Sequence, residues 1–300
     1  MILRSHLYCF VAILIWSSLE ITGKLVGVRI DPFTLTAWRF LIGGLVLLPT
    51  AIKQSKVSKL QYSKSSILHI ASLGILNVCV SMLLLQLSIF YGKASLSAVI
   101  MSMNPVFVTF FAAMLLKERL KKMQITSLFV GVLGLTLMLL FEADLHKQNY
   151  LNLPLGISLA IASSMLFGVW TVLTKAAVSK FGNVATNSFS FLFGSVILFV
   201  IMICANKPLS FPITLINLSF IAYLGLVITG IAYLLYFEGM KVITASSASA
   251  YFMAKPLIAL CLSYLILKET ITLSQSTGVI LIVASLALPY LAKLWSLGTK

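Results

Sequence analysis

The sequence predicts an all-α integral membrane protein of ten transmembrane helices, built as two inverted five-helix repeats. Three observations carry that reading. Hydrophobic residues make up 60% of the 300-residue chain and charged residues only 10%, whereas soluble domains carry about 25% charged residues. The apolar positions collect into ten runs, each close to the roughly 20 residues a helix needs to cross a bilayer core. The second half of the chain repeats the first in one fixed register.

The runs are residues 7–28, 33–52, 66–87, 93–116, 123–141, 154–176, 184–205, 213–236, 243–267 and 272–292. Their length favours helices over a barrel, whose strands read as alternating segments of about ten residues. The first run follows Arg4 like a signal peptide, but Glu20 and Lys24 interrupt its end and no small-x-small cleavage site follows, so it is read as the first span. Asp31-Pro32, the Lys53-to-Lys64 stretch, Asn206-Lys207-Pro208 and Lys268-Glu269 break the later runs with turn chemistry or charge. The stretch from Glu142 to Pro154, with Asp144, His146 and Lys147, marks the boundary between halves. It sets the expected domains at 1–145 and 152–296.

The formal net charge is +15 and mean hydropathy is +1.07. The basic residues lie between apolar runs rather than along an aromatic-laced face, so they are topology signals and no nucleic-acid partner is expected. Arg4, Lys53, Lys56, Lys59, Lys64, Lys117, Arg119, Lys121, Lys122, Lys175, Lys180, Lys241, Lys293 and Lys300 gather on one side of the ten spans, with fewer opposite them at Lys24, Arg29, Lys93, Lys147, Lys207 and Lys268. The positive-inside bias then places both termini in the cytoplasm, in a multi-pass protein of the cell (plasma or inner) membrane. Arg39 and Lys255 fall within spans instead. Cys9, Cys79, Cys204 and Cys261 stand singly in apolar runs, which argues against a disulfide framework or a zinc site. The chain contains no HExxH, CxxC cluster or P-loop, so neither a metalloprotease nor an ATP-driven pump is supported. No metal, cofactor or catalytic residue is expected, and oligomeric state is unknown at this level.

Displacing the chain by 151 residues aligns the halves without a gap. Lys24 meets Lys175, Gly43 meets Gly194, Leu73-Gly74 meets Leu224-Gly225, Ala94-Ser95 meets Ala245-Ser246, Pro105 meets Pro256, and Leu116-Lys117-Glu118 meets Leu267-Lys268-Glu269. Five spans per half is odd, so the second copy enters the membrane upside down, the plan of many secondary transporters.

Trp16-Ser17-Ser18 with Lys24, Asp31-Pro32 leading to Arg39-Phe40, Asn104-Pro105, and the duplicated LKE together resemble the drug/metabolite transporter superfamily, in particular its EamA-type ten-helix members. The resemblance covers nearly the whole chain. It implies a central cavity lined by helices one to four and six to nine, with helices five and ten bracing each half. The chain departs from the family pattern at Ser127, where the fifth helix usually has glycine, and in carrying Glu20 and Lys255.

Lys255 lies midway between Lys241 and Lys268. At about 1.5 Å per residue that is mid-membrane, where a lipid-facing lysine costs about 3 kcal/mol or more. It therefore faces either a wet chamber, as a substrate or coupling contact, or a permanent acidic partner. Pro256 takes away a backbone donor and disfavours helix at the residue before it, so Lys255-Pro256 and its mate Asn104-Pro105 are expected helix breaks at substrate depth. Glu20, also inside a span, is either a coupling or substrate group or one half of a static bridge to Arg39, at similar depth in the hairpin, or to Lys24, one helical turn away. Trp16, Trp170, Tyr233, Tyr236 and Tyr251 are candidate cavity aromatics, since aromatic faces bind ammonium groups; packing is the competing role. Asn77 and Ser81 share a helix face, and with Asn104 they complete the candidate substrate-binding set. Glu118 and Glu269 read as structural, with negative charge suited to a helix N-terminus.

The expected function is secondary transport, by alternating access, of a small polar organic metabolite such as an amino acid. Export is the direction the resemblance favours, with proton coupling through Glu20 or plain exchange both open. The competing expectations are transport of an organic cation, quaternary amine or drug, and lipid flipping. A membrane-embedded enzyme would need convergent catalytic groups at one face, and the sequence offers none.

Overall fold

The computed structural model describes residues 1–57, 63–120, 122–140, 151–267 and 276–285, with isolated positions 273 and 288. Each of the ten apolar runs carries helix. The spans are α1 (Ile2–Gly27), α2 (Pro32–Val57), α3 (Lys64–Tyr91), α4 (Ala94–Met101 and Asn104–Leu115), α5 (Lys122–Leu140), α6 (Leu153–Phe181), α7 (Asn183–Cys204), α8 (Leu215–Met240), α9 (helical in pieces from Ala245 to Leu267) and α10 (Ser276–Ser285). No strand occurs among the described residues. Lys268 and Glu269, the 142–150 connection and the C-terminal basic residues lie outside them.

Local chemistry starts each helix where the sequence punctuates it. Asp31 Oδ1 accepts the Phe33 amide at 2.9 Å and Pro32 opens α2, a combination that satisfies an orphan donor and pre-sets φ. Ser63, Asn152, Thr214 and Thr244 accept amides in the same way at the starts of α3, α6, α8 and α9. Gly182, at φ 82°, turns α6 directly into α7, a left-handed conformation that costs glycine little.

The halves dock through glycines that are repeat mates of one another. A Cβ on Gly194 would meet the Gly74 carbonyl oxygen at 2.5 Å, and one on Gly74 would press still harder on Ser190 in α7. In the mirrored contact, a Cβ on Gly43 would meet Thr229 Cγ2 at 2.7 Å, and one on Gly225 would meet Ile42 Cγ2 at 2.6 Å. Thus α3 crosses α7 as α8 crosses α2, which is the relation expected of inverted copies. Small residues permit this approach where lipid supplies no hydrophobic drive for association.

Several spans are irregular at mid-depth. α1 is interrupted after Trp16, at Ser17-Ser18. α3 and α8 carry wide π-type turns over Ile75–Met82 and Tyr223–Ile231, a feature frequent at functional sites. α4 breaks at Ser102-Met103, immediately before Asn104-Pro105. α9 tightens to a 3₁₀ turn over Ala250–Ala254 and resumes α-helix at Lys255. Lys255 itself is helical, with φ −57° and ψ −42°. The irregularity therefore lies in the turn before Lys255 rather than at it, because Pro256 sits in the first turn of the new segment, where its missing N–H costs nothing.

Gly194→Leu is expected to lower thermal stability in detergent by about 1–3 kcal/mol or more through overpacking. Gly27→Ala, with nothing within 4 Å of the added Cβ, is expected to leave the melting temperature unchanged.

Candidate functional site

The interrupted helices bring polar and charged side chains together in the middle of the bundle. Glu20, just after the α1 break, and Lys255, at the restart of α9, form a salt bridge, with the carboxylate fully buried and the lysine 1% exposed. Glu20 thus pairs with Lys255, not with Arg39 or Lys24. Hairpin depth placed Glu20 and Arg39 at one level, but depth does not fix which neighbour a side chain faces, and α9 presents its amine to α1. Lys24 points elsewhere: its Nζ donates to the Ile89 and Gly92 carbonyls at 3.1 and 2.7 Å.

Arg39 is 1% exposed and makes no ion pair within 4 Å among the described residues. Its Nε has no hydrogen-bond partner, and its guanidinium lies 4.7 Å from the Phe40 ring centroid. Glu20 and the Tyr233 hydroxyl are the groups near enough to act on its charge. Asn77 faces Tyr233 with both amide atoms short of hydrogen-bond geometry. Glu20 Oε2, Trp170 Nε1, the Tyr236 hydroxyl, Thr171 Oγ1 and Thr174 Oγ1 are likewise buried without a partner. Each such group costs about 1–3 kcal/mol relative to a satisfied one.

Rings fill the space among these groups. Trp16 packs on Tyr233 at 4.8 Å and Tyr236 at 5.0 Å, and Trp170 packs on Tyr233 at 5.5 Å. Trp16 Nε1 donates to the Ile228 carbonyl at 2.9 Å, inside the wide turn of α8. Phe167 and Phe252 close the cluster. All are at most 4% exposed, so the centre is shut from both sides.

Other candidates are engaged differently. Ser81 and Ser163 exchange hydroxyl-to-carbonyl bonds of 3.2 and 2.7 Å, and Asn104 Nδ2 donates to the Ser164 carbonyl at 3.1 Å. These pin α3 and α4 to α6, although Asn104 Oδ1 remains unpartnered. Tyr251 stands apart from the ring cluster, its hydroxyl 3.0 Å from His6 Nδ1 and its ring against Phe10. Of the α6 face the sequence reading named only Trp170, although Ser163, Ser164, Phe167, Thr171 and Thr174 recur with it at the helical spacing that marks one stripe. A lateral groove of about 630 Å³, lined mainly by apolar residues of α1, α8 and α9, lies outside this centre. The hydroxyls of Ser18 and Tyr223 bond at 2.7 Å along it.

A second charged cluster sits at the end of α4. Lys117 adopts φ 54° and Glu118 N bonds back to the Ala112 carbonyl, a left-handed stop that aims Glu118 at the start of α9. Its carboxylate accepts Lys175 Nζ at 2.9 Å, the Ala245 amide at 2.9 Å, the Ser246 amide at 3.3 Å and the Ser246 hydroxyl at 3.0 Å. Burial works to raise the Glu118 pKa, but the Lys175 bond and charge and the α9 amides outweigh it and hold it below the ordinary carboxylate value. Lys175 also donates to the Ile243 carbonyl at 3.1 Å. Ile243 is the repeat mate of Gly92, so Lys24 and Lys175 grip equivalent carbonyls on opposite faces.

These features define a polytopic helical membrane protein whose broken spans enclose a polar centre. Residues 3–140 and 154–291 each match the EamA-like transporter family, and the chain belongs to that family. It is similar to an uncharacterized transporter of Clostridium kluyveri, with 31% identity over 96% of this chain and 93% of that protein. It is 24% identical to the uncharacterized transporter YyaM of Bacillus subtilis over 84% of this chain and 82% of that one, and 28% identical to protein PecM of Dickeya dadantii over 71% and 70%. A crystal structure sharing 21% identity superposes with TM-score 0.75 over 96% of both chains, which shows the fold.

Breaking a buried pair from one side costs about 3–5 kcal/mol, while replacing both partners can be neutral. Glu20→Gln and Lys255→Met are each expected to lower detergent stability by about that amount, and the double variant by much less, in a double-mutant cycle of unfolding free energies. For the clasp, Glu118 has its pKa depressed on folding, so its contribution is full above the unfolded value, about 4.3, and is lost as pH falls through the lower folded value. The melting-temperature gap between the native protein and Glu118→Gln is expected to be constant from neutral pH down to about 5 and to close on further acidification.

Proposed function

We propose that this transporter-family protein is a secondary transporter, not an enzyme, and moves a small polar organic metabolite, an amino acid first, by alternating access. One observation carries the reading. A buried carboxylate, two buried cations and several unpartnered polar atoms share the depth at which α1, α4 and α9 lose regular helix. A purely structural bundle gains nothing from such groups, because intramembrane charges are costly and mark solute or ion pathways. The shut centre is then an occluded state, and the lysine latches toward each face fit the two gates alternating access requires. Export is the proposed direction, the cell membrane the proposed location, and both termini are cytoplasmic by the distribution of Lys and Arg.

The polar, enclosed character of the centre favours a hydrophilic solute over a lipid: the lateral groove reaches Ser18 and Tyr223, but none of Glu20, Arg39 and Lys255 lines it. An organic cation remains the competing solute, drawn by Glu20 and the surrounding rings. Uptake into proteoliposomes across amino acids, amines, nucleosides and drugs, with and without a pH gradient, tests the proposal. Saturable amino-acid flux that Lys255→Ala and Glu20→Gln both reduce is the expected result, since each breaks the one buried pair. Amine flux that Glu20→Gln abolishes and Lys255→Ala reduces little selects the cation, and flux unaffected by either substitution removes both residues from the pathway.

A further inference from the structure

We propose that Arg39 is the receptor for a carboxylate on the transported solute, so that the solute class is a monocarboxylate with an α-amino acid as its simplest zwitterionic member. The inference rests on the transport reading and deepens it. Lys255, the cation expected to take that role, is already committed to Glu20. Arg39 is the cation at the centre with no anion of its own among the described residues.

Internal duplication separates what the fold requires from what it does not. Features that build the fold occur twice: Gly43 with Gly194, Gly74 with Gly225, Lys24 with Lys175, Pro105 with Pro256. The mid-membrane charges occur once. The repeat mate of Glu20 is Thr171, that of Lys255 is Asn104, and that of Arg39 is Ser190. The same helices pack in the same way around a neutral serine at the mirrored position, where Ser190 merely bonds the Asn187 carbonyl at 3.2 Å. The fold therefore does not call for a guanidinium there.

The surroundings of Arg39 suit a carboxylate. Lys255 and Glu20 satisfy each other, so a solute carboxylate set against Arg39 gives the centre's remaining buried cation the partner whose lack burial penalises most. A guanidinium offers donors in a planar fork matched to a carboxylate, and the Nε edge is unpartnered. Tyr233 stands beside it, and Asn77, with both amide atoms unused, faces Tyr233. Glu20 Oε2, likewise unpartnered, is placed to accept an ammonium, and Trp16, Tyr233 and Tyr236, which pack on one another in the shut centre, part to take the solute's side chain when the centre opens.

The test uses the purified full-length chain in detergent, with the fluorescence of Trp16 and Trp170 and the melting temperature as readouts. The probes are L-amino acids and short-chain monocarboxylates, each titrated beside its own primary carboxamide. At least one carboxylate is expected to give a saturable response, with its carboxamide weaker by about tenfold or more, the scale of one lost charge-assisted hydrogen bond. Arg39→Gln is expected to weaken the carboxylate by a similar factor and leave the carboxamide unchanged, and Arg39→Lys to retain part of the affinity. Equal binding of acid and amide, or no response to any carboxylate, overturns the proposal using the native protein alone, so it stays testable if Arg39→Gln fails to fold. Carboxylate binding that follows this pattern without flux in proteoliposomes would fault the transport reading and leave the receptor standing. Flux indifferent to the carboxylate and to Arg39→Gln would do the opposite.

Discussion

Everything at the centre depends on how closely the two halves approach. α3 meets α7 through Gly74 and Gly194, and α2 meets α8 through Gly43 and Gly225, at distances that leave no room for a side chain. Packing of this kind is the main attraction between helices in lipid, where burying apolar surface against protein brings little gain. It also sets the geometry of the interior. Arg39 lies one helical turn from Gly43 on α2, and Asn77 three residues beyond Gly74 on α3. The crossings that dock the repeats therefore carry those polar side chains inward together.

The duplicated residues and the single ones divide the labour. What is needed to build a five-helix unit is needed in both, and the glycines, the prolines of α4 and α9, and the lysines gripping Gly92 and Ile243 all recur. Glu20, Arg39 and Lys255 break the symmetry where the two units face each other. Two symmetric halves give a pathway with equivalent faces, while unmatched charges at the midpoint give it chemical preference. On the transport reading, architecture and selectivity are thus written in different residues, and selectivity can change without disturbing the crossings.

Much of the architecture was legible because its causes are local. Asp31-Pro32, the Lys53-to-Lys64 stretch and Asn206-Lys207-Pro208 mark where helices start and stop, and the 151-residue register exposes the repeat without any knowledge of contacts. The buried pair was half legible. Glu20 and Lys255 announce themselves as charges inside apolar runs, but partner choice depends on the rotation of α1 against α9, which sequence distance does not encode. Lys255 and Glu20 are separated by 235 positions, whereas Arg39 and Lys24 are the near neighbours that periodicity can see. The α6 stripe was readable in principle at its three- and four-residue spacing. It was obscured because serines and threonines in a span are ordinarily satisfied by their own backbone, and only the three-dimensional arrangement shows Ser164, Thr171 and Thr174 left over.

On the transport reading, the irregular turns are where such a centre opens. A regular helix in lipid satisfies all its backbone groups, so bending it exposes groups that nothing outside can satisfy. α1, α4 and α9 have already given up regularity at mid-depth. A rigid-body tilt of either half-helix about Ser17-Ser18, Ser102-Met103 or Ala250–Ala254 then breaks few further bonds. Glu118 ties the start of α9 to Lys175 of α6 at one face, and Lys24 ties α1 to the α3–α4 turn at the other. Closed together, on the transport reading, the two ties hold the half-helices and keep the rings shut. On the transport reading, releasing one tie while the other holds opens the centre to one side only, and the Glu20–Lys255 bridge spans the two hinges that must part.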